Sequence, residues 1–151
     1  MGEKDSGTTT RHFRSLERMY LAAPINQLYE PTIEVAGGSA TIEMAVSPRF
    51  FHSAGSLHGS VYFKMLDDAA FFAANSLQPD HFVLTATFTT NLRQPVTGGR
   101  LRSVGRVVEQ MGRRYRAEAE LFDESGERVA HGDGVFVRSR ILLREATGYI
   151  E

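Results

Sequence analysis

The chain has 151 residues, of which 42% are hydrophobic and 23% charged, the size and composition of one ordinary globular domain. This composition excludes a disordered or collagen-like chain. Lys and Arg total 17 against 18 Asp and Glu, so the net charge of -1 gives no basis for binding nucleic acid or an anionic membrane surface. The chain contains no cysteine, which excludes disulfides, thiolate metal sites and a cysteine nucleophile.

The start of the chain is polar and predicts a disordered leader over residues 1–11. Residues 13–25 carry apolar side chains at three- and four-residue steps, the period of an amphipathic helix, and Pro24 limits its end. This segment predicts a short leading helix. No stretch reaches the roughly 20 apolar residues that a membrane helix needs, and no apolar signal core precedes the helix, so we expect a cytoplasmic protein with no membrane partner.

The rest of the chain alternates between strand patterns and one apolar helix. Residues 39–46 alternate apolar and polar positions and end before Pro48. Residues 57–77 are apolar almost all the way round, which predicts a helix buried on most sides. Later strands are predicted near residues 82–92, 100–110, 113–123 and 127–139. An antiparallel sheet wraps such a helix naturally, so we predict an α+β fold with a single domain over residues 12–145 and a tail over 146–151.

Two adjacent carboxylates, Asp67 and Asp68, lie in the middle of the predicted apolar helix. A buried ionised group without a partner is costly, so such residues are usually paired or used in function. Lys64 lies four residues before Asp68 and three before Asp67, which favours an ion pair with Asp68 without deciding it. The apolar helical neighbours of Asp67 should raise its pKa. Asp67 is therefore the candidate for acid–base or nucleophilic chemistry, the alternative being a carboxylate that caps a loop or pairs with an arginine.

The loop before this helix is small and polar, and Ser56 is a candidate cap for the first turn. A free N–H at a helix start, such as that of Gly59, suits a carbonyl oxygen that gains negative charge. His58 and Asp67 are separated by roughly 13 Å of helix at 1.5 Å per residue, too far for one carbonyl to touch both ends. A site that uses both ends therefore needs two chains. His52 and His58 are either catalytic or bonded to nearby backbone, and the sequence leaves both alternatives open.

Two runs of residues on this segment form a recognisable motif: Leu57-His58-Gly59-Ser60-Val61 and Leu66-Asp67-Asp68-Ala69-Ala70. The motif resembles the signature of the hotdog-fold acyl-CoA thioesterases of the PaaI-like group, in which His-Gly-Gly is followed by an Asp nine residues after the His and then by small residues. The resemblance continues through Thr85 to the run Leu92-Arg93-Gln94-Pro95-Val96 and Gly98. It covers most of the chain between residues 39 and 139.

The resemblance implies a hotdog fold, in which a curved antiparallel sheet wraps one long helix and two subunits build two active sites at their interface. It implies that Asp67 attacks the thioester or activates a water, and that Gly59 of the other subunit donates its backbone N–H to the thioester carbonyl. Thr85 takes the position of a Ser or Thr that helps to place the water or the carboxylate. His52 stands where many members have an Asn that contacts water or substrate. The substrate-binding positions it implies are His58, Ser60, Phe63 and Arg93.

Three positions depart from a simple reading of the family pattern. Ser60 replaces the second glycine, which leaves the Gly59 N–H in place. His52 replaces the usual Asn, and an imidazole titrates near neutrality. Thr85 alternates with the apolar residues of its strand, so we expect it on the opposite face of the sheet unless a β-bulge intervenes.

We therefore expect a thioesterase that hydrolyses an acyl-CoA or related acyl thioester without a metal or a cofactor, coenzyme A being part of the substrate. The expected partners are the small-molecule thioester and a second copy of the chain, in a homodimer or a dimer of dimers. One alternative keeps the fold but makes it a dehydratase or hydratase, in which a histidine and a carboxylate move protons. The other is a non-catalytic acyl-CoA-binding sensor. No Gly-x-Ser-x-Gly motif or metal-binding histidine spacing favours other hydrolase chemistry.

Overall fold

The computed structural model describes residues 3–150. In chain order its helices and strands are α1 (Glu3–Ala22), α2 (Asn26–Tyr29), β1 (Thr32–Ala36), β2 (Ser39–Ala45), α3 (Gly59–Ser76), β3 (His81–Leu92), β4 (Arg100–Met111), β5 (Arg114–Phe122) and β6 (Arg128–Leu142). Short 3-10 turns follow β2 and β6, at Pro48–Phe50 and Leu143–Glu145. In this part of the chain no helix is long and apolar enough to cross a membrane.

The strands of the described chain form one antiparallel sheet in the order β1-β2-β4-β5-β6-β3, and α3 packs across it. This arrangement confirms the predicted α+β fold class. Strand β3 lies at one end of the sheet, and among residues 3–150 it pairs only with β6. Its outer edge therefore carries backbone groups that a further strand can pair with.

Helix α3 lies very close to the centre of the sheet. The alanines of its middle, among them Ala69 and Ala70, are fully buried. Gly105 of β4 permits this approach, because a Cβ atom at that position would lie 2.3 Å from the backbone carbonyl carbon and oxygen of Ala69. Contact between backbones leaves little room for α3 to slide or rotate. The chemistry-bearing residues in its middle turns are thus held firmly relative to the sheet.

Three segments differ from the sequence-based expectation. Helix α1 begins at Glu3, so residues 3–11, expected to be a disordered leader, are helical. The polar composition of that segment is a weak guide, since no proline interrupts it and a helix nucleated downstream extends at low cost. Helix α2 and strand β1 were not predicted. They are only four and five residues long, too short for a period to stand out.

The C-terminal tail packs against α1. His12 of α1 donates from Nε2 to the carbonyl oxygen of Asn75 at 2.8 Å, and its Nδ1 accepts the Tyr149 hydroxyl at 2.8 Å. Ser15 and Arg18 both donate to the carbonyl oxygen of Ile150. Burial lowers the pKa of His12, so the ring is neutral and the bond pattern is preserved at neutral pH.

Candidate active site

Asp67 of α3 faces Thr85 of β3, whose hydroxyl donates to its Oδ1 at 2.9 Å. The pairing of β3 with β6 is irregular between Thr85 and Thr87. This bulge is the condition on which the predicted role of Thr85 depended, because it lets Thr85 and the apolar Phe88 both face the helix. Leu84, expected on the apolar core face, instead lies on the outside and is 48% exposed.

Two aromatic pairs flank the bond between Asp67 and Thr85. Phe63 meets Phe88 edge-to-face on one side, with ring centroids 5.7 Å apart. Phe71 meets Phe82 on the other side, with centroids 5.1 Å apart. The order follows from helix geometry, since side chains four residues apart on α3 share one face. We call this row, formed by the four phenylalanines with Asp67 and Thr85, the aromatic bracket.

Strand β6 makes room for one ring of the aromatic bracket. A Cβ atom at Gly132 or Gly134 would lie within 2.6 Å of Phe88 ring atoms. The ring of Phe88 therefore fills the space that side chains at these two positions would occupy. As a result, the Phe88 ring packs tightly against β6 and gives the Asp67 carboxylate apolar surroundings where it faces the sheet.

This environment raises the pKa of Asp67 to about 6, with burial as the main cause. The hydrogen bond from Thr85 opposes the rise, the neighbouring Asp68 adds to it, and Lys64 opposes it. Within residues 3–150, Oδ2 of Asp67 has no hydrogen-bond partner. Asp67 is thus ionised at neutral pH, with one oxygen anchored and the other free to react.

Asp68 forms the ion pair with Lys64 that the four-residue spacing favoured. It accepts Lys64 Nζ at 2.6 Å and the Tyr20 hydroxyl of α1 at 2.7 Å. Burial raises the pKa of Asp68, and Lys64 is the main opposing influence. The spacing of Lys64 and Asp68 pointed to this pair, whereas nothing in the sequence pointed to Tyr20, which is distant along the chain.

A second group of residues surrounds the start of α3, where a pocket of about 310 Å³ opens. It is lined by His52, Ser56, Leu57, Gly59, Tyr62, Leu92, Arg93, Gln94 and Pro95. Gly59 is the first residue of α3, so its N–H has no acceptor within the helix. A carbonyl oxygen in this pocket can therefore receive a hydrogen bond from Gly59.

His58 caps α3, a role the sequence assigned to Ser56. Its Nδ1 accepts the backbone N–H of Ser60 at 3.1 Å and lies 2.8 Å from the Ser60 hydroxyl. Neither His58 nor Ser60, both predicted to bind substrate, is among the residues that line this pocket. Their mutual contacts give them a local structural role at the helix start.

His52 and Arg93 both line this pocket, and each has a partner. His52 Nδ1 accepts the backbone N–H of Ala54 at 3.1 Å, which leaves Nε2 to donate to the Ser56 hydroxyl at 2.9 Å when the ring is neutral. Arg93 donates from Nε and Nη2 to His131 Nε2, at 3.1 and 3.0 Å. Both side chains are exposed at the pocket mouth.

The predicted site residues thus form two half-sites. Asp67 and Thr85 are the carboxylate half-site, and His52, Gly59 and Arg93 are the pocket half-site. Gly59 and Asp67 are separated by about 12 Å of helix. Phe63 lies between them and is 41% exposed. Within one chain, a single carbonyl group cannot contact both half-sites.

The described residues hold no group of three or more His, Cys, Asp or Glu side chains arranged to bind a metal ion. The two half-sites present a carboxylate, a hydroxyl, an imidazole, a guanidinium and a backbone N–H.

This helix and sheet have the architecture of the hotdog fold, as similar solved structures show. PaaI of E. coli, from the phenylacetic acid degradation operon, has a TM-score of 0.81 and 20% identity over 89% of this chain and 98% of its own. AziG of S. sahachiroi has a TM-score of 0.74 and 22% identity over 80% of this chain and 99% of its own. A variant of the PaaI protein of Thermus thermophilus has a TM-score of 0.71 and 21% identity over 78% of this chain and 100% of its own.

The sequence matches the family model of the thioesterase superfamily over residues 54–130, and the chain belongs to that superfamily. The matched segment contains Gly59, Asp67 and Thr85. The predicted resemblance to hotdog-fold thioesterases is thereby confirmed. No curated protein matches the sequence closely enough to count as a relative.

Proposed function

We propose that this protein hydrolyses an acyl-CoA, or a related acyl thioester, to a free acid and a thiol, with Asp67 as the reacting carboxylate. The observation that carries the proposal is the carboxylate half-site. Asp67 is partly buried between two aromatic pairs, anchored through Oδ1 by Thr85, and has a pKa raised to about 6. A carboxylate with a pKa near the working pH is suited to accept and return a proton.

In the general-base form of the reaction, Oδ2 of Asp67 takes a proton from a water as that water attacks the thioester carbonyl carbon. The carbonyl oxygen gains negative charge, and the Gly59 N–H stabilises it. Collapse of this intermediate breaks the carbon–sulfur bond. The departing thiolate then receives the proton from Asp67. Asp67 is thereby ionised again, and the oxygen of the water is part of the released acid.

In the nucleophilic form, Oδ2 attacks the carbonyl carbon directly and expels the thiolate, giving an anhydride. Water then hydrolyses the anhydride, and one of the protons released makes the thiolate a thiol. Both forms use the same residues. They differ in single-turnover hydrolysis in ¹⁸O-water. The base form puts the label in the released acid, whereas attack of water on the Asp67 side of an anhydride puts it in the protein. Neither form calls for a cofactor or a metal ion.

We further propose that the active site is completed by a second copy of the chain. Gly59 and Asp67 are about 12 Å apart along α3, so an oxyanion donor must come from elsewhere. The exposed apolar side chains Leu84, Phe63 and Leu92 lie on or beside the free edge strand β3. Pairing of two β3 strands would cover this apolar surface and the free backbone groups together. It would bring the pocket half-site of one chain to the carboxylate half-site of the other. A dimer of such dimers remains an expectation from the sequence, as does a cytoplasmic location.

The surroundings of the two half-sites support an apolar acyl group and an anionic leaving group. The exposed Phe63 ring and the aromatic bracket offer apolar and ring surfaces to the acyl part. Arg93, at the mouth of the pocket half-site, is suited to a phosphate of coenzyme A. Because PaaI is named for phenylacetic acid degradation, phenylacetyl-CoA belongs in the substrate panel.

The test is thiol release from short-chain, long-chain and aryl acyl-CoAs by the wild type, Asp67→Asn and Gly59→Ala. We expect wild-type turnover with at least one substrate and a loss of about 10²-fold or more for Asp67→Asn, the size of a general-base contribution. Gly59→Ala keeps the N–H but adds a Cβ atom 3.4 Å from Leu92, so it should raise KM more than it lowers kcat. Binding of acyl-CoA without hydrolysis would contradict the proposal and favour the sensor. Addition of water to a double bond of the acyl chain, or its elimination, would favour the hydratase or dehydratase. His52 in the pocket half-site is the candidate acid for that reaction.

A further inference from the structure

Behind Asp67, on the side of α3 that faces α1, lies a buried charged cluster that the proposed reaction does not use. Asp68 accepts Lys64 Nζ at 2.6 Å and the Tyr20 hydroxyl at 2.7 Å, both at Oδ2. The side chains of Lys64 and Asp68 are only 14% and 18% exposed. Lys64 also lies over the rings of Tyr20 and Tyr29, 5.5 and 5.1 Å from their centroids. We call Tyr20, Lys64 and Asp68 the α1–α3 cluster.

Burial raises the pKa of Asp68, and the Lys64 ammonium and the Tyr20 hydroxyl, which both donate to its Oδ2, oppose that rise and favour the ionised form. A carboxylate that accepts an ammonium and a hydroxyl proton at one oxygen is stabilised in its ionised form. Lys64 is held by the carboxylate and by two ring faces, so its position is well defined. Burial, and then the negative charge of Asp68, raise the pKa of Tyr20, so its hydroxyl stays protonated and donating.

We propose that Asp68 is a positioning residue for the reaction: held ionised by Lys64 and by Tyr20 of α1, it keeps a negative charge beside Asp67 and makes Asp67 a stronger proton acceptor. The inference rests on the proposed function of Asp67. It gives α1, which lies outside the matched family segment, a part in the chemistry. Lys64 limits the effect, so the pair sets the basicity of Asp67 as a balance of two opposite charges.

The other groups around Asp67 do not duplicate this arrangement. Within residues 3–150, the charged groups that act on its pKa are Asp68, which raises it, and Lys64, which lowers it. From β3, Thr85 contributes a hydroxyl and no charge. From α1, Tyr20 contributes a protonated phenol bonded to Asp68. A change at Asp68 or Lys64 is thus a change in the electrostatic balance at Asp67.

A single and a double variant of the full-length protein test the proposal. Asp68→Asn removes the like charge, so we expect the acid limb of the kcat/KM profile to move to lower pH. The plateau kcat should fall about threefold for each pH unit of movement, because a weaker base transfers protons less well. Adding Lys64→Met to Asp68→Asn also removes the opposing charge and leaves no buried ion unpaired. The acid limb should then move back towards higher pH.

Two tyrosine variants separate this role from simple docking of α1. Tyr20→Phe keeps the ring but removes the donor to Asp68, and we expect the limb to move in the direction of Asp68→Asn by a smaller amount. Tyr115→Phe is the matched control, since Tyr115 is also buried but bonds to Gln78, away from the cluster. Its acid limb should stay at the wild-type position. If the three cluster variants lose activity equally at every pH while Tyr115→Phe keeps it, the α1–α3 cluster is structural and the proposal is overturned.

Direct titration of Asp67 by its ¹³C-carboxyl NMR signal, in the same proteins without substrate, distinguishes the two levels of failure. A shift of the Asp67 midpoint down in Asp68→Asn and back up in the double variant supports the charge relation. If the midpoint moves in this way but the wild type cleaves no thioester, the proposed function is overturned and the effect of the Asp68 charge on Asp67 stands. An unmoved midpoint in an active enzyme would overturn the role of Asp68 alone.

Discussion

Replacement of Asp67 by asparagine preserves the shape of the side chain and removes its charge. We expect Asp67→Asn to lower thioester hydrolysis by about 10²-fold or more and, at neutral and alkaline pH, to make the protein more stable than the wild type. The reason is that the folded protein holds an ionised carboxylate in the aromatic bracket, where burial disfavours the charge. A residue retained at a cost to stability is a residue used in function.

The size of the gain follows from the pKa of Asp67. Burial is the main reason that it rises from the ordinary value of 3.8 to about 6 in the folded protein. At about 1.4 kcal/mol for each pKa unit, the ionised side chain costs the folded state about 3 kcal/mol above pH 6. Asparagine must still be buried, although its carbonyl oxygen can keep the Thr85 hydroxyl as donor. We therefore expect a net gain of about 1–2 kcal/mol in the free energy of unfolding.

The pH dependence gives the sign of the effect. Because the pKa is raised on folding, the contribution of wild-type Asp67 to stability is fully present below pH 3.8 and is lost as the pH rises through about 6. The gain of Asp67→Asn over wild type should therefore be small near pH 4 and complete near pH 8. Urea unfolding at both pH values measures it, at one fixed protein concentration because an oligomer unfolds in a concentration-dependent way.

The matched control for this experiment is Asp133→Asn, which removes an exposed carboxylate on β6. It should change stability by less than about 0.5 kcal/mol at either pH. If Asp67→Asn were instead less stable than wild type by the same amount at both pH values, Asp67 would be a structural residue. The reasoning that links its burial to catalysis would then be refuted.

Three further predictions concern the same core and edge. Thr85→Val removes the donor to Asp67, so the acid limb of kcat/KM should move to higher pH by about one unit, the effect of a hydrogen bond to a charged group, whereas Thr85→Ser should keep the wild-type profile. Leu84→Lys places a charge on the exposed edge strand β3, so we expect monomers in light scattering and loss of turnover. The control Met111→Lys, at the exposed end of β4, should leave the oligomeric state and the turnover unchanged. Gly105→Ala forces a Cβ atom against the backbone of α3. We expect it to lower the free energy of unfolding, measured in urea, by about 3 kcal/mol or more. Wild-type stability in this variant would contradict the close packing of α3 on β4.

The main elements of the fold follow from the sequence because their patterns are long. The apolar segment predicted as a helix over residues 57–77 corresponds to α3 at Gly59–Ser76. The alternating residues near 113–123 correspond to β5 at Arg114–Phe122. A pattern that repeats over about nine or more residues identifies an element even when its ends shift. Strand β1 is short and buries only Val35 deeply, so its pattern carries little information.

Side-chain placement in the site depends on features that periodicity does not carry. Alternation alone places Thr85 on the wrong face of β3. The register of β3 against β6 shifts on both sides of Thr85, between His81 and Val83 and between Thr85 and Thr87, and Thr85 faces Asp67. The space that lets Phe88 share that face is provided by glycines of β6, another strand of the sheet. Contact between strands distant in sequence thus decides what the local pattern leaves open. The same holds for Tyr20, which reaches Asp68 only because α1 packs against α3.

The need for two chains can be argued from the helix rise alone. Gly59 and Asp67 share one regular helix, so their separation of about 12 Å is fixed by 1.5 Å per residue, whatever the rest of the fold does. The structure places both residues within the one continuous helix α3, Gly59–Ser76. In the proposed reaction, the Gly59 N–H and the Asp67 carboxylate that act on one carbonyl therefore come from different copies of α3. The exposed apolar residues along β3 supply a surface on which those copies can meet, so the edge of the sheet and the chemistry of the helix point to the same assembly.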